Sequence, residues 1–279
     1  MQKFSYHTHT DLSDGRDSLE NMLKKAVSLG WEQIGISDHM IIHKDIKKST
    51  TYKTYMVENF GSVYHDSFEK ALSVYQRNVE YIRNIAKKFP IDVFIGFEVD
   101  YFTYNGWEDE FRSFIKQIDY DYLLNGNHYF FDDDCRILVD ISSYNKIDDS
   151  LKTDSYENYH KRHYQTIQKA VGSGLFNILA HLDYAKKLKQ HETYPCNEEK
   201  LKIIDILSQK SVAAEVSTKG LRKVNSFYPD EFLIKQMIDK NVAIVISDDA
   251  HKVDELGFCF DKAEEKLKEL NCKNRFILK

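Results

Sequence analysis

The sequence is short of cysteine and proline, and neither residue marks a boundary within the chain. Four cysteines occur in 279 residues, and they stand far apart, at Cys135, Cys196, Cys259 and Cys272. This spacing excludes a zinc knuckle and a disulfide framework, so we expect free thiols in a reducing compartment. The three prolines are scattered, and no Gly/Ser/Pro-rich linker separates two segments. We therefore expect a single domain over residues 1–279, a length that single (β/α) barrels commonly reach.

Long apolar runs and an excess of basic residues are also missing. No apolar run approaches the roughly 18 residues of a membrane-spanning helix, and the first residues lack the apolar segment of a secretory signal. We therefore expect a cytoplasmic protein without a membrane partner. Lys and Arg total 39 against 44 Asp and Glu, a formal net charge of −5, which disfavours a nucleic-acid partner. A local basic pocket for a small anion is compatible with this balance, and the sequence leaves the oligomeric state open.

Seven short apolar segments alternate with longer amphipathic segments along the chain. The short segments are predicted to be buried parallel strands: Phe4–Thr10, Gln33–Asp38, Val93–Asp100, Tyr120–His128, Phe176–Asp183, Ala213–Thr218 and Val242–Ser247. The longer segments are predicted to be helices: Ser18–Leu29, Ser67–Lys88, Trp107–Gln117, Tyr156–Val171, Glu198–Gln209, Asp230–Asp239 and Lys262–Leu270. Strands that alternate with helices in this way predict an α/β fold whose parallel sheet has helical crossovers, as in a (β/α) barrel.

Six of the eleven histidines fall at the ends of predicted strands, together with two acids. These residues are His7, His9, His39, His128, His181 and His251, with Glu98 and Asp249. In a (β/α) barrel the carboxyl ends of the strands share one face, where active sites are built. Imidazole and carboxylate without thiolate suit Zn, Fe, Mn or Ni. Eight or more ligands are too many for one ion and fit two or three, and neighbouring ions suit phosphate-ester hydrolysis.

The order of these motifs resembles that of the polymerase and histidinol phosphatase (PHP) superfamily. The motifs are His7-Thr8-His9, Ser13-Asp14-Gly15, Ser37-Asp38-His39, Gly96-Phe97-Glu98, His128, His181 and Asp249-Ala250-His251. The resemblance implies a distorted (β/α)7 TIM-like barrel that holds two to three divalent metal ions, Zn, Fe or Mn. It also implies three ligand groups: His7, His9, Glu98 and Asp249; Glu98, His128 and His181; and Asp14, His39 and His251. Glu98 then bridges two ions, and Asp249 is preferred to Asp248 because its spacing from His251 matches the family.

Two further segments resemble one branch of this superfamily, the monofunctional histidinol-phosphate phosphatases. They are residues 173–187 around His181, and residues 215–223 followed by Tyr228-Pro229. The branch implies an enzyme that hydrolyses a small phosphate monoester, L-histidinol phosphate, to L-histidinol and phosphate in histidine biosynthesis. Two alternatives stay open at this point. One is a PHP-family phosphoesterase that acts on another monoester or on a nucleotide, and the other is a non-catalytic metal-binding barrel.

Candidate substrate contacts lie outside the metal motifs. Arg222 follows the sixth predicted strand, and its guanidinium can bind phosphate through two parallel hydrogen bonds. Lys223 and Arg162 are further candidates for the phosphate, and Glu215 is a candidate partner for the ammonium group of the substrate. The residues expected to be catalytic are Glu98, Asp249, His251 and Arg222.

Overall fold

The computed structural model describes residues 1–50, 52, 63–132 and 136–278. Its central feature is an eight-stranded sheet in which every pair is parallel, with the order β10-β9-β8-β5-β4-β2-β3 and β1 paired to β4. These strands are β1 Gln33–Ile36, β2 His39–Ile42, β3 Tyr64–His65, β4 Asp92–Val99, β5 Tyr122–Asn125, β8 Ile178–Leu179, β9 Ala213–Ser217 and β10 Ile244–Ser247. The strands β6 Tyr129–Phe131 and β7 Ile137–Asp140 form a separate antiparallel pair. The predicted α/β class with a mainly parallel sheet is confirmed.

Helices follow the strands as the periodicity predicts. They are α1 Leu19–Ser28, α2 Phe68–Ala86, α3 Trp107–Ile115, α4 Tyr156–Gly172, α5 Asn197–Lys210, α6 Lys219–Val224, α7 Glu231–Asp239 and α8 Phe260–Glu269. All of them except α6 lie within two residues of a predicted helix. The cap expected at Ser18 is present, because its side chain accepts a hydrogen bond from Asn21 N–H. The short helix α6 was not predicted, and it carries Arg222.

The first predicted strand, Phe4–Thr10, is not a regular strand. Its backbone bonds run to β1 and the residue after it on one side and to the residues after β10 on the other: Gly35 N to Ser5 O at 2.8 Å, Ser37 N to Thr8 O at 2.9 Å, and His9 N to Ala250 O at 2.8 Å. Side-chain oxygens replace ladder carbonyls between these bonds, since Thr10 N–H donates to Asp38 Oδ1 at 2.7 Å. The barrel is therefore distorted, and its hydrogen-bond ladder is not continuous at this position.

A tyrosine fills the interior of the sheet below the strand ends. Tyr122 is fully buried, and its hydroxyl donates to Tyr6 O at 2.6 Å. Two glycines leave room for its ring, because a Cβ would lie 2.2 Å from the Tyr122 hydroxyl at Gly35 and 2.4 Å from its ring at Gly96. The barrel interior is thus packed solid under the polar cluster that lies above it.

Three of the four cysteines, Cys196, Cys259 and Cys272, are free as expected, and Cys135 lies outside the described residues. Among the described residues, no helix has the length and apolar character needed to cross a bilayer. The single domain over residues 1–279 stays a prediction.

Candidate metal centre

The nine predicted metal ligands come together at one edge of the sheet. His39 begins β2, Glu98 lies near the end of β4, and the other ligands lie in the N-terminal segment or just beyond β5, β8 and β10. The carboxyl ends of parallel strands meet at the same edge, which explains this convergence. Asp249 has a left-handed backbone with φ of +48°, a conformation that is uncommon for non-glycine residues.

Glu98 lies at the centre of the cluster and is 1% exposed. Its Oε1 is 2.8 Å from His181 Nε2 and 3.4 Å from His128 Nε2, and its Oε2 is 3.1 Å from His39 Nδ1, 3.3 Å from His7 Nε2 and 3.5 Å from His9 Nε2. The two oxygens therefore face different sets of rings, as a carboxylate that bridges two ions would. Gly126 makes room for it, because a Cβ there would lie 2.0 Å from Glu98 Oε1.

Asp249 lies on the other side of the same rings. Its Oδ1 is 3.3 Å from His9 Nε2, 3.5 Å from His251 Nδ1 and 3.6 Å from His7 Nε2. Its Oδ2 forms an ion pair with Lys219 Nζ at 2.7 Å. One oxygen is thus directed at the imidazoles, while Lys219 holds the other.

Asp14 completes the cluster at its most open side. Its Oδ2 is 3.1 Å from His251 Nε2 and 3.5 Å from His39 Nε2, and its Oδ1 is 3.5 Å from His9 Nδ1. The side chain of Asp14 is 44% exposed, against 20% for that of His251. This side of the cluster is therefore the one that a ligand from solvent can reach.

Donor atoms in the cluster are arranged as metal ligands are. Sets whose donor atoms lie within 4.8 Å of one another are His9, Asp14, His39 and His251; His7, His181 and Asp249; His7, His9 and Glu98; and His39, Glu98 and His128. Buried atoms that have no hydrogen-bond partner among the described residues include His7 Nε2, both His9 nitrogens, His39 Nδ1 and Asp249 Oδ1. An unsatisfied buried polar atom costs about 1–3 kcal/mol, and bound cations would satisfy these atoms. The donor set therefore fits divalent metal ions, while the assignment of each ligand to one ion stays a prediction.

The electrostatics of the cluster keep its carboxylates ionised. Burial raises the pKa of Glu98, but the surrounding histidines, His7 first among them, hold that pKa well below its ordinary value. Burial likewise raises the pKa of Asp249, and Lys219 and His7 outweigh it, so this pKa is also well below normal. Both acids are therefore charged and able to bind a cation.

Glu215 does not face the cavity, contrary to the prediction that it binds the substrate's ammonium group. It lies beneath the cluster and is 1% exposed. Its Oε1 is 2.8 Å from His7 Nδ1, and its Oε2 accepts a hydrogen bond from His181 N–H at 2.9 Å. The physical reason is depth, since Glu215 stands in the middle of β9 rather than at its end. A carboxylate in this position orients an imidazole and fixes which nitrogen carries the proton.

Asp100 orients a second imidazole in the same way, although it is not among the predicted site residues. Its Oδ2 is 3.0 Å from His128 Nδ1, and its Oδ1 accepts a hydrogen bond from His128 N–H at 2.6 Å. A signal was present in the sequence, because Asp100 stands two residues after Glu98 at the end of the same predicted strand. Lys219 is likewise not among the predicted site residues, although a cation directly after the sixth strand was visible.

Asp248, the alternative to Asp249, is turned away from the histidines. Its Oδ1 accepts a hydrogen bond from Ser5 Oγ at 2.9 Å, and its Oδ2 accepts one from Gly257 N–H at 2.7 Å. Burial raises the pKa of this carboxyl to about 7. The geometry therefore favours Asp249 as the acid of the cluster.

A cavity of about 650 Å³ opens beside the cluster and is lined by Asp14 and His251 from it. Arg222 and Lys223, the candidates for the phosphate contact, also line the cavity. Arg222 Nη2 donates to Asp248 O at 2.8 Å, while its Nε and Nη1 are buried without a hydrogen-bond partner among the described residues.

Arg162 is not part of this cavity. It lines a separate cavity of about 470 Å³, and it donates to Phe131 O at 3.0 Å and to Asp154 Oδ2 at 2.5 Å. Its position on the first turns of α4 directs it toward the β6–β7 pair rather than toward the strand ends. The structure therefore does not bring Arg162 together with the other predicted substrate residues.

Comparison with known protein families places this geometry in context. The model of the PHP domain matches residues 5–219. The chain belongs to the PHP domain family. The match covers most of the metal cluster of this PHP domain, and the two remaining ligands, Asp249 and His251, follow it in the chain.

Two curated relatives of this PHP protein are both described as probable histidinol-phosphatases. The protein from Deinococcus radiodurans is 26% identical over 185 residues, which is 64% of this chain and 65% of that protein. The chain thus matches slightly less than two thirds of the Deinococcus protein. The protein from Thermotoga maritima is 24% identical over 268 residues, 95% of this chain and 91% of that protein.

A solved structure shares the fold of this PHP domain. It is the histidinol phosphate phosphatase from Lactococcus lactis, complexed with zinc, L-histidinol and phosphate, with a TM-score of 0.67 and 20% identity. The alignment covers 98% of this chain and 95% of that protein. At this identity the likeness shows the common fold, and the fold class predicted from the sequence is confirmed.

Proposed function

We propose that this protein is a metal-dependent phosphomonoesterase that hydrolyses L-histidinol phosphate to L-histidinol and inorganic phosphate in histidine biosynthesis. The observation that carries the proposal is the nine-ligand cluster beside a cavity that is lined by Asp14 and His251 from the cluster and by Arg222 and Lys223. The names of the curated relatives and the ligands of the Lactococcus structure support it. We also propose a cytoplasmic location, which the free described cysteines support.

Two to three divalent ions, Zn, Fe or Mn, fit the cluster. Such ions, when bound, supply Lewis-acid charge to the phosphoryl oxygens and acidify water. Glu98 and Asp249, whose carboxylates are ionised, would hold the ions. Glu215 and Asp100 fix the orientation of the imidazoles of His7 and His128, so that their other nitrogens would be free to bind an ion.

The remaining side chains bind and orient the phosphate ester. Arg222 lines the cavity, and we assign its guanidinium to the equatorial phosphoryl oxygens, whose charge grows in the transition state. Lys219 holds Asp249 in place through its 2.7 Å ion pair. His251, which lines the cavity with its side chain 20% exposed, is placed to contact the leaving alkoxide.

The ammonium group of histidinol needs an acidic partner, because burying it alone would be costly. Glu215 is fully engaged below the cluster, so we assign this contact to Glu255. Glu255 lines the cavity and is 22% exposed, and its Oε2 is 3.5 Å from Arg222 Nη2.

The test is to assay metal content and substrate choice on the same purified protein. We expect two to three equivalents of Zn, Fe or Mn per chain. We also expect kcat/KM for L-histidinol phosphate to exceed that for p-nitrophenyl phosphate by roughly 10²-fold, about 2.7 kcal/mol of transition-state binding. Less than one metal equivalent, with activity insensitive to chelators, would refute the metal-dependent mechanism. Equal rates for unrelated monoesters would refute the histidinol assignment alone.

A further inference from the structure

The cavity beside the metal centre carries more positive charge than one phosphate group requires. Seven lysine and arginine side chains line it against two carboxylates, on a chain whose net charge is −5. Lys219 and Arg222 have acidic neighbours in Asp249 and Glu255. The other five are Arg16, Lys146, Lys187, Lys223 and Lys252, and none of them has a carboxylate at ion-pair distance in the described parts of the chain. This wall is therefore complementary to more anionic charge than the reacting phosphate brings.

Lys187 is the clearest of these unpaired cations. It is half-buried, its Nζ donates to Ser142 Oγ at 2.6 Å, and it lies 3.6 Å over the ring of Tyr184. Burial lowers the pKa of Lys187 to about 7, and an anion bound beside its Nζ would favour the charged ammonium form. The Tyr184 ring in turn is 4.7 Å from the ring of His181, centroid to centroid. One aromatic ring thus separates the Lys187 ammonium group from the metal cluster. A small substrate could therefore place its phosphate at the cluster and a second anionic group on Lys187.

We propose that the same cavity also hydrolyses phosphate monoesters that carry a second anionic group, a carboxylate or a phosphate, and that Lys187 with Lys146 and Lys223 binds this group. The proposal rests on the phosphatase function proposed above and extends its substrate class. Water adds its oxygen to phosphorus, the bond from phosphorus to the ester oxygen breaks, and that oxygen takes a proton. The products are inorganic phosphate and an alcohol that still carries the second anionic group.

The histidinol moiety alone does not account for this wall. Its ammonium is a cation, and Glu255 and Asp14 are the two carboxylates that line the cavity within the described residues. Asp14 is also a proposed metal ligand, which leaves Glu255 for the ammonium. The five unpaired cations would then face a substrate portion that carries no negative charge.

Matched substrate pairs test the proposal directly. O-phospho-L-serine and O-phosphoethanolamine both carry an ammonium and differ by one carboxylate, while 3-phosphoglycerate and glycerol 3-phosphate repeat the comparison without the ammonium. We expect kcat/KM to be at least roughly 10-fold higher for the carboxylate member of each pair at low ionic strength, a preference that shrinks as salt screens the cations. A ratio near one in both pairs, with L-histidinol phosphate still hydrolysed, would overturn this inference and leave the proposed function standing.

Variants assign the preference to the cavity wall. Lys187→Met should reduce the substrate ratio below about 3, and Lys187→Arg, which keeps the charge, should retain most of it. Lys262→Ala removes the same charge from an exposed position on α8 and should leave the ratio unchanged. An unchanged ratio in Lys187→Met would refute the role of Lys187.

Binding of phosphonates that cannot be hydrolysed gives a readout that is independent of turnover. Calorimetry on the metal-loaded protein should show that 4-phosphonobutyrate binds more tightly than butylphosphonate, and that Lys187→Met removes this difference. If the carboxylate of 4-phosphonobutyrate bound the metal ions instead of Lys187, the difference in affinity would persist in Lys187→Met, because the variant is measured with the same metals bound. Equal affinities for the two compounds would overturn the second-anion site. If no monoester is hydrolysed, the proposed function fails, and calorimetry still decides whether the second-anion site exists.

Discussion

Replacement of Glu215 by glutamine distinguishes two roles for this buried carboxylate. One is to orient the metal-binding imidazole of His7, and the other is to bind the ammonium group of the substrate. Both groups that contact it are donors in the metal-binding arrangement, because His7 Nε2 faces Glu98 and its Nδ1 then carries the proton. The second donor is the backbone N–H of His181. Glutamine offers one acceptor and one N–H₂ group, so one of these two buried donors loses its partner.

The structure sets the magnitude of the loss. A hydrogen bond to a charged group contributes about 1.5–3 kcal/mol, and carboxylates that orient metal-binding imidazoles typically contribute 10–100-fold in metal affinity or activity. We therefore expect Glu215→Gln to weaken metal affinity by roughly 10–100-fold, measured by competition with a chromophoric chelator. Turnover of L-histidinol phosphate and of p-nitrophenyl phosphate should fall by the same factor at limiting metal.

The matched control is Glu255→Gln, which changes a carboxylate on the cavity wall. It should leave metal affinity within about twofold, because the glutamine Oε1 can still accept the His251 N–H that Glu255 Oε2 accepts at 2.9 Å. It should lower kcat/KM for L-histidinol phosphate more than for p-nitrophenyl phosphate, since an ammonium contact affects one substrate. If Glu215→Gln instead keeps normal metal affinity and slows L-histidinol phosphate selectively, the positioning role is wrong and the original ammonium contact is right.

Three further predictions address other parts of the site and the fold. Arg222→Ala should lower kcat/KM by roughly 10²-fold with unchanged metal content, and Arg222→Lys should recover part of it; near-native kinetics in the alanine variant would exclude Arg222 as the phosphate contact. Gly126→Ala should displace Glu98, because the new Cβ would lie 2.0 Å from Glu98 Oε1, and elemental analysis should show the loss of at least one metal equivalent. The control is Gly172→Ala, which should keep full metal occupancy because its Cβ would lie 4.0 Å from Ile206. Burial lowers the pKa of His160 to about 2, so the folded protein keeps this ring neutral while the unfolded chain takes up a proton below about pH 6.5. The stability contributed by His160 is complete above pH 6.5 and falls by about 1.4 kcal/mol per pH unit as the pH is lowered toward the folded pKa. Urea unfolding between pH 6.5 and 5 should therefore lose less stability in His160→Gln than in the native protein, and equal slopes would refute the assignment.

Strand ends could be predicted because two simple patterns agree there. Apolar runs such as Gln33–Asp38 locate the strands, and a polar residue at the end of each run locates the shared face. Both patterns predict that His39, Glu98 and Asp249 lie at one place, as they do in the structure. The first segment, Phe4–Thr10, has the same pattern but does not form a regular strand, because side-chain oxygens such as that of Asp38 replace ladder carbonyls.

Depth within the barrel could not be predicted in the same way. Glu215 and Arg222 both belong to the segment that resembles phosphatases, and for both the sequence predicts a substrate contact. In the structure Glu215 lies below the rings in mid-strand, and Arg222 lies above them on the short helix α6. Whether a residue lies below or above the histidine rings depends on where its strand ends and where the next helix begins. Predicted bounds of strands and helices are uncertain by one or two residues, which is enough to change this depth.

These layers give the buried acids different tasks according to their depth. Glu98 and Asp249 meet the imidazole nitrogens that face the cluster, while Glu215 and Asp100 hold the opposite nitrogens of His7 and His128. An imidazole held on both sides cannot rotate, so the ligand geometry is set before any ion binds. Removal of an acid from the lower layer should therefore change how tightly ions are held, and the cavity wall above should decide which ester is hydrolysed. Metal affinity and substrate choice then become separable by mutation, which the paired substitutions at Glu215 and Glu255 examine.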